Sequence, residues 1–179
     1  RPQNISDMVG NEEPRAAIME WFAKWKKGTK PLLIVGPPGI GKTTIAFLLA
    51  KQFGYDMIGL NASDVRSKSR INEILTPVLG NVSVLGTPMI FVDEVDGIHG
   101  RGDYGGASAL VDILKKPNVP ILLAANYDDS DKMKSIKKAV TTISFKKIPP
   151  RLLRVYLDNI LKKENEKLSP GSLIKVIDK

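Results

Sequence analysis

The stretch whose reading decides the fold is Leu32-Leu33-Ile34-Val35-Gly36-Pro37-Pro38-Gly39-Ile40-Gly41-Lys42-Thr43. Four apolar residues in succession read as a short buried strand, and the run stops at a glycine. Residues 43–53 then carry the period of a helix. Between strand and helix lies Gly-x-x-x-x-Gly-Lys-Thr, the full P-loop pattern in the setting that pattern requires. Its glycines let the backbone curl so that successive N–H groups turn inward on a phosphate, and the helix N-terminus adds its positive end. Gly36, Pro37, Pro38, Gly39, Ile40, Gly41, Lys42, Thr43 and the adjoining Thr44 therefore form the expected nucleotide-binding loop. Lys42 is placed to reach the β- and γ-phosphates, and the Thr43 hydroxyl to ligate Mg²⁺.

On either side of this loop the apolar period alternates between helix and strand. Residues 14–27 put Ala17, Ile18, Trp21, Phe22 and Trp25 on one helical stripe, the pattern of core or inter-subunit packing. Strands are expected at 57–60, 89–92, 121–125 and 139–145, with helices at 69–76 (closed by Pro77), at 107–116, and in the lysine-rich stretch before the last strand. Fully apolar strands alternating with helices predict an α/β fold, a five-stranded parallel sheet flanked by helices. At Ile148-Pro149-Pro150 the pattern changes, and helical stretches follow at 151–163 and 172–178 with no strand between them. Two short helices cannot close a core. The expected organisation is a nucleotide-binding core over 1–147 and the incomplete first part of a helical domain over 148–179.

Composition removes several classes of function. Mean hydropathy of −0.09 and 42% hydrophobic residues suit a globular chain with a sizeable core. No run of 18 apolar residues exists, so no transmembrane helix is expected, and the first twenty residues hold no signal-peptide h-region. With no cysteine, disulfides, thiol catalysis and cysteine zinc sites are excluded. The single histidine, His99, excludes a multi-histidine metal site and reads as a loop residue. The net charge of +8 is not spread evenly: residues 131–179 hold 13 basic and 5 acidic side chains, whereas the rest balance. Such an excess suits nucleic acid or an acidic partner, although lysine-rich helix faces are commonly just solvated.

Acidic residues complete the chemistry. Asp93-Glu94 falls at the end of the third expected strand, on the edge where a parallel sheet presents its ligands. Asp93 is placed to hold Mg²⁺ directly or through water, and Glu94 to orient and polarise an attacking water. Asn126 ends the next strand, from which its amide can reach the γ-phosphate or that water. Asp96 reads as a turn or capping residue. Phosphate loop and strand-end acids together indicate a nucleotide hydrolase rather than a simple binder.

Arg1-Pro2, Asp7-Met8-Val9-Gly10, the Gly-Pro-Pro-Gly loop, Asn61-Ala62-Ser63-Asp64, Asp93-Glu94-Val95-Asp96-Gly97 and Gly105-Gly106 occur in that order. The set resembles the AAA+ ATPases and, within them, the large subunits of replication factor C clamp loaders in their archaeal form, over essentially the whole chain. Asn-Ala-Ser-Asp and the acidic box extended to Gly97 carry the finer resemblance; the phosphate loop and acids alone indicate only AAA+. The resemblance implies ATP and Mg²⁺ as ligands. It implies that Val9 and Gly10 touch adenine largely through backbone, that Asn126 senses the γ-phosphate, and that residues 148–179 begin the helical lid. Implied partners are small clamp-loader subunits in a hetero-oligomer (a pentamer), a sliding clamp and primer–template DNA, with no membrane. The setting would be cytoplasmic and nucleoid-associated in an archaeon, or nuclear in a eukaryote.

Such sites usually borrow an arginine finger from a neighbouring subunit, carried in small clamp-loader subunits by Ser-Arg-Cys. Here the matching stretch reads Ser135-Ile136-Lys137-Lys138-Ala139, and no arginine lies between Arg101 and Arg151. Lysine lacks the planar fork that bridges transition-state oxygens, so this subunit is expected to receive a finger rather than donate one. Lys137 or Lys138 as a substitute finger is the alternative. Arg66, Lys68, Arg70 and Arg101 are candidate contacts to DNA phosphates, and the absence of interleaved aromatics argues against base stacking. Val82, Val84 and Leu85 form a short apolar loop that suits either clamp contact or core packing. Two other readings stay open: a different AAA+ DNA-remodelling ATPase working as a closed ring, and a nucleotide-gated DNA-binding scaffold that does not hydrolyse.

Overall fold

A computed structural model describes residues 2–61, 64, 67–80, 86–98 and 105–177. Arg66, Arg101, Val82, Val84, Leu85 and His99 lie outside them, as does the side chain of Arg70. Five strands, β1 (Leu32–Val35), β2 (Tyr55–Asn61), β3 (Thr87–Asp93), β4 (Ile121–Ala125) and β5 (Thr141–Ser144), form one sheet in the order β2-β3-β4-β1-β5. Every pairing is parallel. The first of these strands ends where its apolar run ends, at Val35.

Because strand side chains alternate faces, the buried strands feed two cores. Leu33, Ile90, Val92 and Leu123 face one side with Ile71 and Leu75 of α3 (Lys68–Gly80), Leu110 and Leu114 of α4 (Gly106–Lys115), and Met133 and Ile136 of α5 (Asp131–Ala139). Leu32, Ile34, Phe91 and Leu122 face the other, under Ile18 and Phe22 of α1 (Glu12–Ala23) and Ile45 and Leu49 of α2 (Lys42–Phe53). Helices thus cover both faces, as continuous apolar strands demand. Phe22 stacks on Phe53 at 5.5 Å, so the aromatic stripe serves the chain's own core, while Ala17 is exposed.

Several boundaries depart from the sequence-based expectation; β2 and β3 each begin two residues early, at Tyr55 and Thr87. α1 ends at Ala23 rather than near residue 27; Trp25 lies beyond it, its N–H donating to the Phe22 carbonyl. α3 does not stop at Pro77 but runs to Gly80. A helical proline forfeits one hydrogen bond, and here the buried turns carrying Ile71 and Leu75 hold the helix just ahead of that loss. β5 starts at Thr141, because Ala139 still closes α5 and Val140 caps it, although both are buried. After β5 the chain forms α6 (Pro150–Lys163) and α7 (Pro170–Ile177), and α6 buries none of its residues.

Candidate nucleotide-binding site

The register brings the carboxyl ends of all five strands to one edge: Val35 lies opposite Ala125 and Ser144, and Asn61 opposite Asp93. The phosphate loop leaves β1 at that edge and enters α2 through Gly41, whose φ of +95° is one that only glycine takes without strain. Gly36 is required for a different reason. A Cβ there would sit 2.5 Å from both Ile40 Cδ1 and the Phe145 carbonyl oxygen. No side chain caps the start of α2, which leaves its first N–H groups facing the cleft.

Lys42 is only 7% exposed. Its ammonium donates to the Gly36 carbonyl at 2.7 Å, the Pro37 carbonyl at 2.9 Å and Asn126 Oδ1 at 2.9 Å. Burial pushes its pKa below the ordinary 10.5, and the negative charges of Asp93, Asp96 and Glu94 push back. The Thr43 hydroxyl donates to Asp93 Oδ2 at 2.7 Å, and the other Asp93 oxygen accepts from the Glu94 N–H at 2.9 Å. This pair of hard oxygens suits Mg²⁺, which takes one or two protein ligands and fills the rest of its shell with water and phosphate. Among the described residues no group of three or more His, Cys, Asp or Glu could hold a metal by itself.

Pro38, Gly39, Gly41, Lys42, Thr43, Thr44, Asp93, Glu94 and Asn126 together line a cleft of about 360 Å³. The residues singled out for phosphate, metal and water chemistry therefore share one space. Gly36 and Pro37 stand behind it and act through their carbonyls. On the far side of the loop lies a smaller slot of about 190 Å³, lined by Pro2, Met8, Val9, Ile40, Thr44, Ile148, Leu153 and Tyr156 among others. Val9 lines this slot. Gly10 does not; its carbonyl accepts from Arg15 at 2.9 Å, and a Cβ on it would meet Ile148 at 3.4 Å.

Several residues of this neighbourhood had no role assigned from sequence. Asn61 Nδ2 approaches Glu94 Oε2 at 3.5 Å. Arg15, 8% exposed, donates to the Gly10 and Ile5 carbonyls and so braces the N-terminal strap that carries Met8 and Val9. A signal for it existed, since Arg15 sits three residues before Ile18 and seven before Phe22, on the buried stripe of α1. Asp7 accepts from the N–H groups of Gln3 and Asn4, which hold its carboxyl below the usual carboxylate range. Asn11 clamps Lys146 from both sides, donating to its carbonyl at 2.9 Å and accepting from its N–H at 2.7 Å.

Residues 32–164 match the model of the family described as "ATPase family associated with various cellular activities (AAA)". The chain belongs to the AAA family. Over nearly all its length this AAA chain is also similar to curated archaeal proteins. It is 40% identical to the replication factor C large subunit of Thermofilum pendens, across 99% of the chain and 44% of that protein. The same-named protein of Methanosphaera stadtmanae is 40% identical across 92% of the chain and 32% of its own length. That of Methanocella arvoryzae is 33% identical across 100% of the chain and 33% of its length. The AAA chain spans less than half the length of the curated relatives it matches. No helix among the described residues is long and apolar enough to cross a membrane.

Of the candidate DNA contacts only Lys68 has a described side chain, exposed in the first turn of α3. Ser67, just before it, bridges Gly105, so the N-terminal ends of α3 and α4 lie side by side. Lys137 is ion-paired to Asp128 of its own chain, and Lys138 is exposed.

Proposed function

We propose that this chain is the ATP-hydrolysing part of a clamp-loader large subunit, with a nucleotide-binding core over 1–147 and the start of a helical lid over 148–179. The observation that carries the reading is the convergence of Lys42, Thr43, Asp93, Glu94 and Asn126 on one cleft at the carboxyl edge of the AAA sheet. ATP is the substrate, its triphosphate over the loop and its adenine in the apolar slot beside Val9. Thr43 and Asp93 would hold Mg²⁺, which neutralises charge between the β- and γ-phosphates. Lys42 gives up its loop carbonyls for phosphate oxygens and keeps a fixed positive charge where the transition state accumulates negative charge. Glu94 accepts a hydrogen bond from the attacking water and aligns it with phosphorus. Asn126, already bonded to Lys42, orients the same γ-phosphate region.

A complete site still needs a planar cation against the γ-phosphate. Lys137 is engaged by Asp128, and the described part of the cleft holds no arginine. The site is accordingly finished by an arginine from a small clamp-loader subunit in a hetero-pentamer. ATP binding tightens that assembly around a sliding clamp and primer–template DNA, and hydrolysis releases them. Exposed Lys68 and the adjacent ends of α3 and α4 suit contact with duplex phosphates, and Arg66, Arg70 and Arg101 are the further proposed contacts. Val82, Val84 and Leu85 are the proposed clamp contact.

The test is ATP affinity and turnover of the chain alone with Mg²⁺, then of the full-length subunit with small subunits, clamp and primed DNA. Tight binding with little turnover alone, and a rise of at least tenfold with partners, is the expected result; brisk turnover alone would refute the borrowed finger. Glu94→Gln in this subunit only should keep ATP affinity and lower turnover of the assembly. Unchanged turnover would show a nucleotide-gated scaffold instead.

A further inference from the structure

Glu94 and Asn126 leave the ends of different strands, yet both must address one water and one phosphate. The link between them runs through the turn Val95–Gly97, a single 3₁₀ turn. The Gly97 N–H donates to the Glu94 carbonyl at 2.7 Å and the Ile98 N–H to the Val95 carbonyl at 3.3 Å. Val95 and Ile98, 0% and 1% exposed, plug both ends of this turn into the core beneath β3 and β4. Glu94 itself has φ of +51°, a conformation a non-glycine side chain keeps only when its surroundings hold it there.

Between the two plugs sits Asp96. Its Oδ2 accepts from the backbone N–H of Tyr127, the residue after Asn126, at 3.3 Å. Its Oδ1 is buried and takes no donor among the described residues. A carboxylate oxygen left so costs stability, which makes Asp96 a poor choice for a turn with no other task. The side chain of Asn126 accepts in turn from Lys42 at 2.9 Å.

We propose that Asp96 is a positioning residue for ATP hydrolysis: it ties the turn that carries Glu94 to the backbone that carries Asn126, so that carboxylate and amide are held as one unit over the phosphates. The proposal rests on the roles given above to Glu94 and Asn126. Asp96 touches no reacting atom; it acts through the Tyr127 N–H and through the field it adds at Lys42, where it works with Asp93 and Glu94 against the effect of burial.

A mutant cycle tests this, using Asp96→Ala, Asp96→Asn, Asn126→Ala and the Asp96→Ala/Asn126→Ala double variant. ATP affinity and single-turnover hydrolysis are measured in the assembled complex, with a thermal midpoint for each variant. Asp96→Ala should slow hydrolysis about tenfold, the scale of one lost charged hydrogen bond, with ATP Kd changed less than about twofold. Asp96→Asn keeps an acceptor for the Tyr127 N–H and should recover to within about threefold of wild type. In the Asn126→Ala background, Asp96→Ala should slow the reaction clearly less than it does alone, because one of the two groups it holds together is already gone. Full additivity of the two losses, a wild-type rate in Asp96→Ala, or a loss of ATP affinity equal to the loss of rate would each overturn the proposal. A wild-type rate in Asn126→Ala would overturn instead the site reading beneath it. Should Asp96→Ala not fold, Asp96→Ser, with a hydroxyl too short to span to Tyr127, takes its place with the same expectations.

Discussion

Lys42 is a cation held where cations are costly. Three oxygens of its own chain surround it, and three carboxylates oppose the neutralising effect of burial without overcoming it. The sign of the consequence follows from proton counting. With the folded pKa below the ordinary 10.5, the unfolded chain binds more protons than the folded one in the alkaline interval between the two values, so stability rises with pH there. At neutral pH the cost of burying the charge is fully present. The unfolding free energy of wild type minus that of Lys42→Met should therefore climb as pH approaches 10.5, measured by denaturant titration at a series of pH values. A flat difference would mean the burial cost is already met by the carboxylates. Sequence alone assigned Lys42 to phosphate, because a motif fixes both its neighbours and its aim. It could not show that the same ammonium reaches Asn126, since that contact spans 84 positions and depends on β1 and β4 being adjacent.

At the scale of elements, α2 and the N-terminal strap are the parts that set the loop. α2 buries Ile45, Leu48 and Leu49 against the sheet while its first turn faces the cleft. Leu49 is 0% exposed, so Leu49→Ala should destabilise the fold by about 2–5 kcal/mol, checked by chemical denaturation. Its distance from the cleft predicts little change in ATP affinity where the fold persists. Arg15 acts differently, since it holds the strap by two backbone carbonyls and touches no part of the cleft. Arg15→Leu should weaken ATP binding about tenfold, through a strap no longer fixed beside the slot, and leave turnover at saturating ATP near wild type. Titration calorimetry alongside steady-state kinetics separates the two effects. Strands and helices were legible here because their apolar periods differ so plainly. Of the misplaced ends, Gly80 is the one where burial, of Ile71 and Leu75, outweighed a local stop signal, at Pro77; at Ala23 and Thr141 the apolar run simply extended past the element.

The whole molecule is a parallel sheet whose useful chemistry gathers at one edge, and that much the order of apolar runs and strand-end acids already implied. The braces behind the edge were not legible. Arg15, Asn11 and Asp96 look unremarkable in sequence because each acts on a backbone group brought near by folding. The slot beside Val9 shows the consequence most clearly. Its walls come from the strap near residue 2 and from the helix near residue 156, parts of the chain that neither share a strand nor follow one another. Asn11 and Lys146 already join those two regions at their base. A flat ring driven between such walls works as a rivet. With ATP added, amide hydrogen exchange should slow together over residues 2–10 and 148–156, and Asn11→Ala should make the two respond separately. On the function proposed above, the purine would do more than identify the nucleotide: it would convert occupancy into a fixed angle between core and lid, a mechanical signal that anything bound to the lid could feel.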